Sequence, residues 1–352
     1  MAFVFSLILT DQRNNMSSPF FSFVIPVFNR PLEVQELLQS MTTLSGNHAF
    51  EVVIVEDGST QSSSEVVQSF NQLLNIQYLT KSNTGPGDSR NYGMKRAKGA
   101  CFLILDSDVI LPENYLDEVS LALATNPVDC FGGPDATHDS FSKLQKAIDF
   151  AMTSLLTTGG IRGSNSSNQN FQPRSFNMGL SRKAFELSGG FGQIHPGEDP
   201  DLVLRLRKLG FETALFPKAF VFHKRRISWS KFFKQVNSFG KVRPILNSWH
   251  PESIRFTYWL PSLYLLGIPA AAVLMYFGFW QLTFVFGVYQ LAILISATIT
   301  TKSLSIALMA LFAANIQFLG YGIGFLINTI SLTISRKNVE ELFPNQFFKL
   351  PS

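Results

Sequence analysis

From Phe256 to Ser335 the chain carries one charged side chain, Lys302. A stretch this long and this apolar has no polar face to turn toward water, so it cannot coat a water-soluble domain. Residues 256–278 and 280–300 each match the length that crosses the roughly 30 Å hydrocarbon core. Residues 303–335 suffice for one tilted span with an extension but are short for two. Three spans, or four short ones, are expected. Upstream of Phe256 the charges are frequent, as in a soluble protein. The expected division is an extension at 1–18, a soluble body at 19–226, a basic linker with an amphipathic helix at 227–255, membrane helices at 256–335 and a tail at 336–352.

The linker sets an orientation. Between Lys218 and Pro251 there are eight Lys or Arg and no acid. A basic run beside the first span places the body on the cytoplasmic side of the cell membrane. Arg336 and Lys337 would also prefer the cytoplasm, but three crossings would put them outside, so the span count stays open. Read as a helix, "WSKFFKQVNSFGKV" gathers Trp229, Phe232, Phe233, Val236 and Phe239 on one arc, with Lys231, Lys234 and Lys241 opposite. Such a helix can lie in the membrane interface; the alternative is an ordinary amphipathic helix packed on the body. The apolar block holds no acid or Arg of the kind that marks ion pathways, which argues against transport. A net charge of +4, with no basic repeat interleaved with aromatics, gives no reason to expect nucleic acid. Two cysteines, Cys101 and Cys130, are too few for a disulfide framework and read as buried free thiols. The opening "MAFVFSLILT" is too short to span a bilayer and lacks the basic start of a signal peptide. No function is assigned to it, and Met16 is an alternative start.

Within the body, apolar strand runs alternate with helical spacing. "FSFVIPVF", "FEVVIVED", "IQYLT" and "CFLIL" read as strands. "PLEVQELLQSM", with Leu32, Leu37, Leu38 and Met41 apolar, reads as a helix, as does "SSSEVVQSFNQLL", and "GPGDSRNYGMKRA" reads as a Gly-rich loop running into a helix. This alternation signals a parallel sheet covered on both faces. Ligands bind such sheets at the carboxyl ends of the strands, where Asn29, Asp57, Asp106 and Asp108 fall. Residues 159–175, "GGIRGSNSSNQNFQPRS", form a polar loop of the lid type. "GEDPDLVLRLRKLGF" reads as a helix opened by acids, with Leu202, Leu204, Leu206 and Leu209 apolar.

The strand "CFLIL" runs into Asp106 and Asp108. Unpaired carboxylates at the end of a buried strand are costly. A turn there can aim both at one hard divalent cation, which prefers oxygen ligands. Alone, D-x-D is common by chance. However, "FSFVIPVFNR", "VVIVEDGST", "NTGPGDSRNYGMKRAKGACFLILDSDVILP" and "GGFGQIHPGEDPDLVLRLRKLGF" occur in that order. Over 21–226 this set resembles the family 2 glycosyltransferases, inverting enzymes of the GT-A fold.

The resemblance implies an α/β GT-A nucleotide-sugar-binding domain with a mostly parallel mixed sheet, then an interfacial helix and an all-α transmembrane region. It implies donor contacts from Pro26, Asn29, Asp57, Arg90 and Asp106, with Glu56 standing where the family usually has Asp. It implies Mn²⁺ or Mg²⁺ on Asp106 and Asp108, with His223 as a further ligand. Asp199 of the "E-D" pair matches the general base, and its acidic neighbours Glu198 and Asp201 would raise its pKa by repulsion. Glu198 and Arg205 are expected on the acceptor side or in support of the site, Arg205 by pairing with Asp201. Asp88 is given no role. The processive signature Q-x-x-R-W is absent: Gln235 is present, but Arg and Trp do not follow at that spacing. The implied activity is transfer of one sugar from a nucleotide-sugar donor to a hydroxyl of a lipid-linked or cell-surface glycan, with membrane lipids around the enzyme. The alternatives are transfer to a polyprenyl phosphate and a non-catalytic nucleotide-sugar-binding membrane protein.

Overall fold

A computed structural model describes residues 21–136, 141–159, 171–224 and 228–348. The N-terminal extension and most of the lid-type loop lie outside the described residues.

The elements in chain order are β1 (Phe21–Val27), α1 (Pro31–Met41), β2 (Phe50–Asp57), α2 (Ser64–Phe70), β3 (Ile76–Lys81), α3 (Pro86–Met94), β4 (Cys101–Leu105), β5 (Val109–Ile110), α4 (Tyr115–Thr125), β6 (Cys130–Gly132), β7 (Asp135–Ala136), α5 (Lys143–Thr153), α6 (Leu155–Thr158), β8 (Asn177–Ser181), α7 (Arg182–Ser188), α8 (Glu198–Lys208), β9 (Thr213–Leu215), β10 (Val221–His223), α9 (Trp229–Trp249), α10 (Leu260–Tyr276), α11 (Gln281–Thr301), α12 (Leu304–Ile334) and α13 (Val339–Leu342).

Seven strands form one sheet in the order β3-β2-β1-β4-β8-β6-β9. β3, β2, β1 and β4 run parallel. β8 inserts antiparallel between β4 and β6, and β9 pairs parallel with β6, so the sheet is mixed. The strand runs are continuously apolar because both faces are covered. Phe23, Ile25, Val52, Ile54, Leu103 and Leu105 join the core beneath α1, α2 and α4. Val24, Val53, Val55, Phe102 and Ile104 join the opposite core beneath α3, α7 and α8. Burying each such side chain contributes roughly 1.5–3 kcal/mol. Two apolar positions expected inside are not. Leu32 in α1 is 72% exposed and Val34 takes the inward place; Leu209 lies past the end of α8 and is 53% exposed. Both cysteines are free and buried.

A small second sheet, β5-β10-β7, closes the carboxyl end of the first. His223 of β10 stands opposite Val109, the residue after Asp108.

Three C-terminal helical segments are long and apolar enough to cross a membrane: 256–276, 281–301 and 304–334. They differ in exposure. In the most apolar window, 11% of residues are buried in each of the first two and 44% in the third. α12 packs its small residues Ala307, Ala310, Ala313 and Ala314 into one cluster with Ala147, Ile148 and Ala151 of α5. Further along, it crosses α9 at backbone contact distance. A side chain on Gly240 would run into the Tyr321 carbonyl, and one on Gly324 into the Asn237 carbonyl. Two side-chain amides seal the crossing: Asn237 donates to Gly320 O at 2.9 Å and Asn328 donates to Lys241 O at 2.8 Å. Small residues with interhelical amide bonds are how apolar helices associate where hydrophobicity supplies no drive. The apolar arc of α9 is largely taken up here. Phe232 and Val236 are buried in this cluster, Trp229 sits edge-on to Phe312, and Phe233 stays 38% exposed. α5 also joins this cluster, so the apolar block gathers a helix from inside 19–226.

The tail returns to the body. His195 N–H donates to Gln346 O at 2.8 Å, Phe348 N–H donates to Gln193 O at 3.0 Å, and Val339, Phe343 and Phe347 pack on Ile194, Val242, Ile245 and Leu246.

Candidate active site

Three loops at the carboxyl ends of β1, β2 and β4 meet here. Asn29 holds the first two together. Its backbone has φ +56°, and its Oδ1 accepts from the Thr60 and Gln61 N–H groups at 2.8 Å each. Pro26 sits in β1 opposite Val55 of β2. Glu56 is buried; its Oε2 accepts from Ser63 N–H at 2.9 Å and from Tyr78 O–H at 2.8 Å. The longer side chain thereby reaches the start of α2, a physical reason for Glu at this position.

Asp57 anchors the glycine loop. It accepts from Thr84 N–H at 3.0 Å, Gly85 N–H at 2.9 Å and Lys81 Nζ at 2.7 Å. Gly85 has φ +93°, open to glycine at no steric cost, and the Phe348 ring of the tail occupies the place where a Cβ would stand. Asp88 takes a hydrogen bond from Thr84 Oγ1 at 2.5 Å and lies 3.1 Å from Lys81 Nζ.

β4 ends at Leu105, and the turn before β5 presents both acids. Asp106, Asp108 and His223 each offer one ligand atom, all within 4.8 Å of one another. His223 Nε2 is 3.3 Å from Asp108 Oδ1, and its ring stacks on Phe176 at 4.8 Å. Asp135 of β7 lies 3.9 Å from the other imidazole nitrogen. Two carboxylates and an imidazole fit a divalent cation such as Mn²⁺; Mg²⁺ would use chiefly the oxygens. Burial by itself would raise the Asp108 carboxyl. The His223 hydrogen bond and charge, and then Arg30 at 2.6 Å, outweigh it and hold Asp108 well below the usual carboxylate range. Asp108 is therefore ionised and ready to bind a cation.

α8 supplies the second acidic group. Its first turn carries Glu198, Asp199 and Asp201 and its last turn Arg205, Arg207 and Lys208, which complements the helix dipole at both ends. Asp199 is 16% exposed, with Arg174 Nη1 at 3.7 Å. Its acidic neighbours are already neutralised. Asp201 pairs with Arg205 at 2.9 Å and His250 at 2.9 Å. Arg205 also donates to the Ser188 and Gly190 carbonyls at 2.6 Å each. Glu198 pairs with Arg90 at 3.1 Å and His195 at 3.2 Å. Each acidic neighbour of Asp199 thus has cationic partners of its own. Glu198 is thereby held between Arg90 and His195.

Arg90 joins the two acidic groups. It is 3% exposed, donates to Asp106 at 2.7 Å and to Glu198 at 3.1 Å, and lies over the Phe191 ring. One guanidinium fork thus sets the distance between the D-x-D turn and the start of α8.

Burial would raise Glu198, but His195 and then Arg90 hold it down to about 2. Burial would lower the His195 imidazole, but Glu198 lifts it above its ordinary value of 6.5. The pair's contribution from His195 is complete below pH 6.5 and is lost as pH rises through the lifted value. The contribution from Glu198 is present above its ordinary 4.5 and is lost as pH falls toward 2. Melting of the protein and of His195→Gln from about pH 5 to 9 is expected to show the gap between them closing on the alkaline side. A constant gap would show that the pair's charge contributes nothing.

Sequence reasoning missed Arg30, Arg174, His195 and Lys81. Arg30 did leave a signal. A cation immediately before a helix N-terminus opposes the dipole and needs an acid to hold it there. The other three come from loops or a strand whose approach to the site is set by the tertiary fold.

Residues 22–187 match the model of glycosyl transferase family 2. An uncharacterized glycosyltransferase of Rickettsia bellii is 38% identical over 98 residues, covering 27% of this chain and 14% of the relative. The poly(ribitol-phosphate) beta-N-acetylglucosaminyltransferase TarS of Staphylococcus aureus is 32% identical over 103 residues, 28% of this chain and 18% of TarS. The chain thus spans under a fifth of the length of both relatives. Among solved structures, the mannosyltransferase PcManGT of Pyrobaculum calidifontis superposes with a TM-score of 0.60 at 14% identity, over 90% of this chain and 94% of that one. That likeness is one of fold. The sheet order, the D-x-D turn and the family match over 22–187 together establish that the chain carries a glycosyl transferase family 2 domain of GT-A fold, followed by apolar helices fit to span a membrane.

Proposed function

We propose that the protein is a membrane-anchored, metal-dependent inverting glycosyltransferase that moves one sugar from a nucleotide-sugar donor to a hydroxyl of a lipid-linked or cell-surface glycan. The observation that carries this reading is the Arg90 bridge, which ties the Asp106–Asp108–His223 cluster to the first turn of the helix bearing Asp199. A metal cluster and a carboxylate base at one strand-end cleft suit displacement of a diphosphate. The fold neighbour in complex with GDP-Man and Mn²⁺ agrees with a donor and cation of this kind.

In the proposed reaction Asp199 accepts the proton of the acceptor hydroxyl while that oxygen forms its bond to the anomeric carbon. The bond from that carbon to the diphosphate oxygen breaks on the opposite face, so the centre inverts. Asp106, Asp108 and His223 would hold the cation, which when bound neutralises the diphosphate charge as a Lewis acid. Arg90 and Asp106 face the donor side, with Pro26, Asn29 and Asp57 shaping the nucleoside side. Asp57 acts there chiefly by fixing the Gly85 loop.

We place the catalytic domain on the cytoplasmic face of the cell membrane, beside the basic linker. The docking of residues 339–348 on the body calls for an even number of crossings. α10 and α11 as a hairpin, with α12 against α5 and α9, meets that requirement and leaves Arg336 and Lys337 on the cytoplasmic side.

The test is nucleoside diphosphate release from a panel of nucleotide sugars by the purified full chain with Mn²⁺ or Mg²⁺. Asp108→Asn is expected to weaken Mn²⁺ binding by at least the ~10–100-fold that losing an outer partner of a ligand costs. Titration followed by electron paramagnetic resonance reads this directly. Unchanged Mn²⁺ affinity would remove Asp108 from the metal site.

A further inference from the structure

A cavity of about 280 Å³ opens where α8 ends and the apolar block begins. Gln172, Arg207, Lys208, Ser253, Arg255 and Tyr258 are among its lining. Arg207 lies eight residues beyond Asp199 on the same helix, roughly 12 Å along its axis, so the cavity is separate from the donor cleft.

Its charge is uncompensated. Arg207 donates to the Phe171 carbonyl at 2.7 Å and the Thr213 hydroxyl at 3.1 Å, neither of them an acid. Among the described residues neither Arg207 nor Arg255 has an ion-pair partner. Lys208 pairs with Glu252 at 3.1 Å, the one acid in the lining. Three cations therefore face one carboxylate. The Arg207 guanidinium is held below its ordinary value, first by burial and then by Arg255. Two guanidinium groups kept together, neither of them paired with an acid among the described residues, mark a place where an anion is missing. A second observation points the same way. Ser253 is 8% exposed, yet its hydroxyl has no hydrogen-bond partner. A buried hydroxyl left unpaired is costly unless a ligand completes it.

The surroundings identify the anion's source. Ile254 and Phe256, on either side of Arg255, are 56% and 70% exposed, and Trp259 and Leu260 continue the apolar surface into α10. Aromatic and aliphatic side chains beside a basic pocket at the head of an apolar helix are the setting for a lipid headgroup, with its acyl chains along the helix.

We propose that this cavity binds the phosphate of an anionic membrane lipid, with Arg207 and Arg255 on its oxygens and the Ser253 hydroxyl donating a further bond. The lipid would tie the end of α8 to the membrane surface and so fix the depth at which the catalytic cleft sits. This inference is independent of the sugar-transfer reading, because it concerns binding alone.

The test uses the purified full chain in a neutral detergent, with dioctanoyl phosphatidic acid, dioctanoylglycerol and inorganic phosphate as probes. Dissociation constants are measured for the protein, for Arg255→Gln and for Ser253→Ala. Arg255 is exposed, so its loss should leave the fold intact, which an unchanged melting curve would verify. Saturable binding of phosphatidic acid is expected, weakened about tenfold or more by Arg255→Gln and less by Ser253→Ala. Dioctanoylglycerol should show no saturable binding, and inorganic phosphate should bind far more weakly than the lipid. Unchanged affinity in Arg255→Gln, equal binding of dioctanoylglycerol, or inorganic phosphate binding as tightly as the lipid would each overturn the proposal.

Discussion

Asp199→Asn is expected to lower kcat by about 10²–10⁴-fold, the range a positioned general base contributes, while donor affinity stays within a few-fold. The substitution keeps the shape of the side chain and removes its capacity to take a proton. Its surroundings should survive, because the neighbouring acids have their own partners: Glu198 has Arg90 and His195, and Asp201 has Arg205 and His250. The measurement is single-turnover nucleoside diphosphate release beside equilibrium donor binding. The outcome also separates two acceptor classes. A hydroxyl must lose a proton to attack, whereas a polyprenyl phosphate is already ionised. Near-normal turnover by Asp199→Asn or Asp199→Ala would overturn the hydroxyl reading and favour the phosphate acceptor.

Arg90→Met is expected to destabilise the protein by about 3–5 kcal/mol, the cost of breaking a buried ion pair by removing one partner. Arg90 is 3% exposed and Glu198 is 6% exposed, so neither charge is well screened by water. Removing the guanidinium leaves Glu198 with only the half-exposed His195 and frees Asp106 from its hold. For a body of this size the melting temperature should fall by roughly 2–4 °C for each kcal/mol. The double variant Arg90→Met/Glu198→Gln should recover part of that loss, since no buried carboxylate then lacks a partner. A double variant no more stable than the single one would show that packing, not charge, dominates at Arg90. Turnover should be lost in both variants, because the bridge also sets the spacing between Asp106 and the helix bearing Asp199.

The acidic residues of the site were legible in the sequence because two of them end a strand that nothing else could tolerate. "CFLIL" must be buried, so Asp106 and Asp108 had to have a reason to follow it. Asp57, Arg90 and Asp199 were reached through the order of the motif blocks. His223 was named without a visible route to the acids. The route is the β5–β10 pairing, which sets His223 opposite Val109 across more than a hundred residues of chain. The ion pair that holds Glu198 was hidden for the same kind of reason. Its partner Arg90 is 108 residues away, and local spacing shows only the acids beside it.

The sequence by itself determined the strand-helix alternation, the carboxylates at the strand ends and the apolar block, because all three rest on local periodicity and on the cost of burying or exposing a side chain. Only the tertiary structure decided which cation neutralises which acid. It also decided that α12 takes up the apolar arc of α9, and that the tail returns to cover Gly85. Those are pairings between distant segments, and their energies depend on distances that no local pattern encodes.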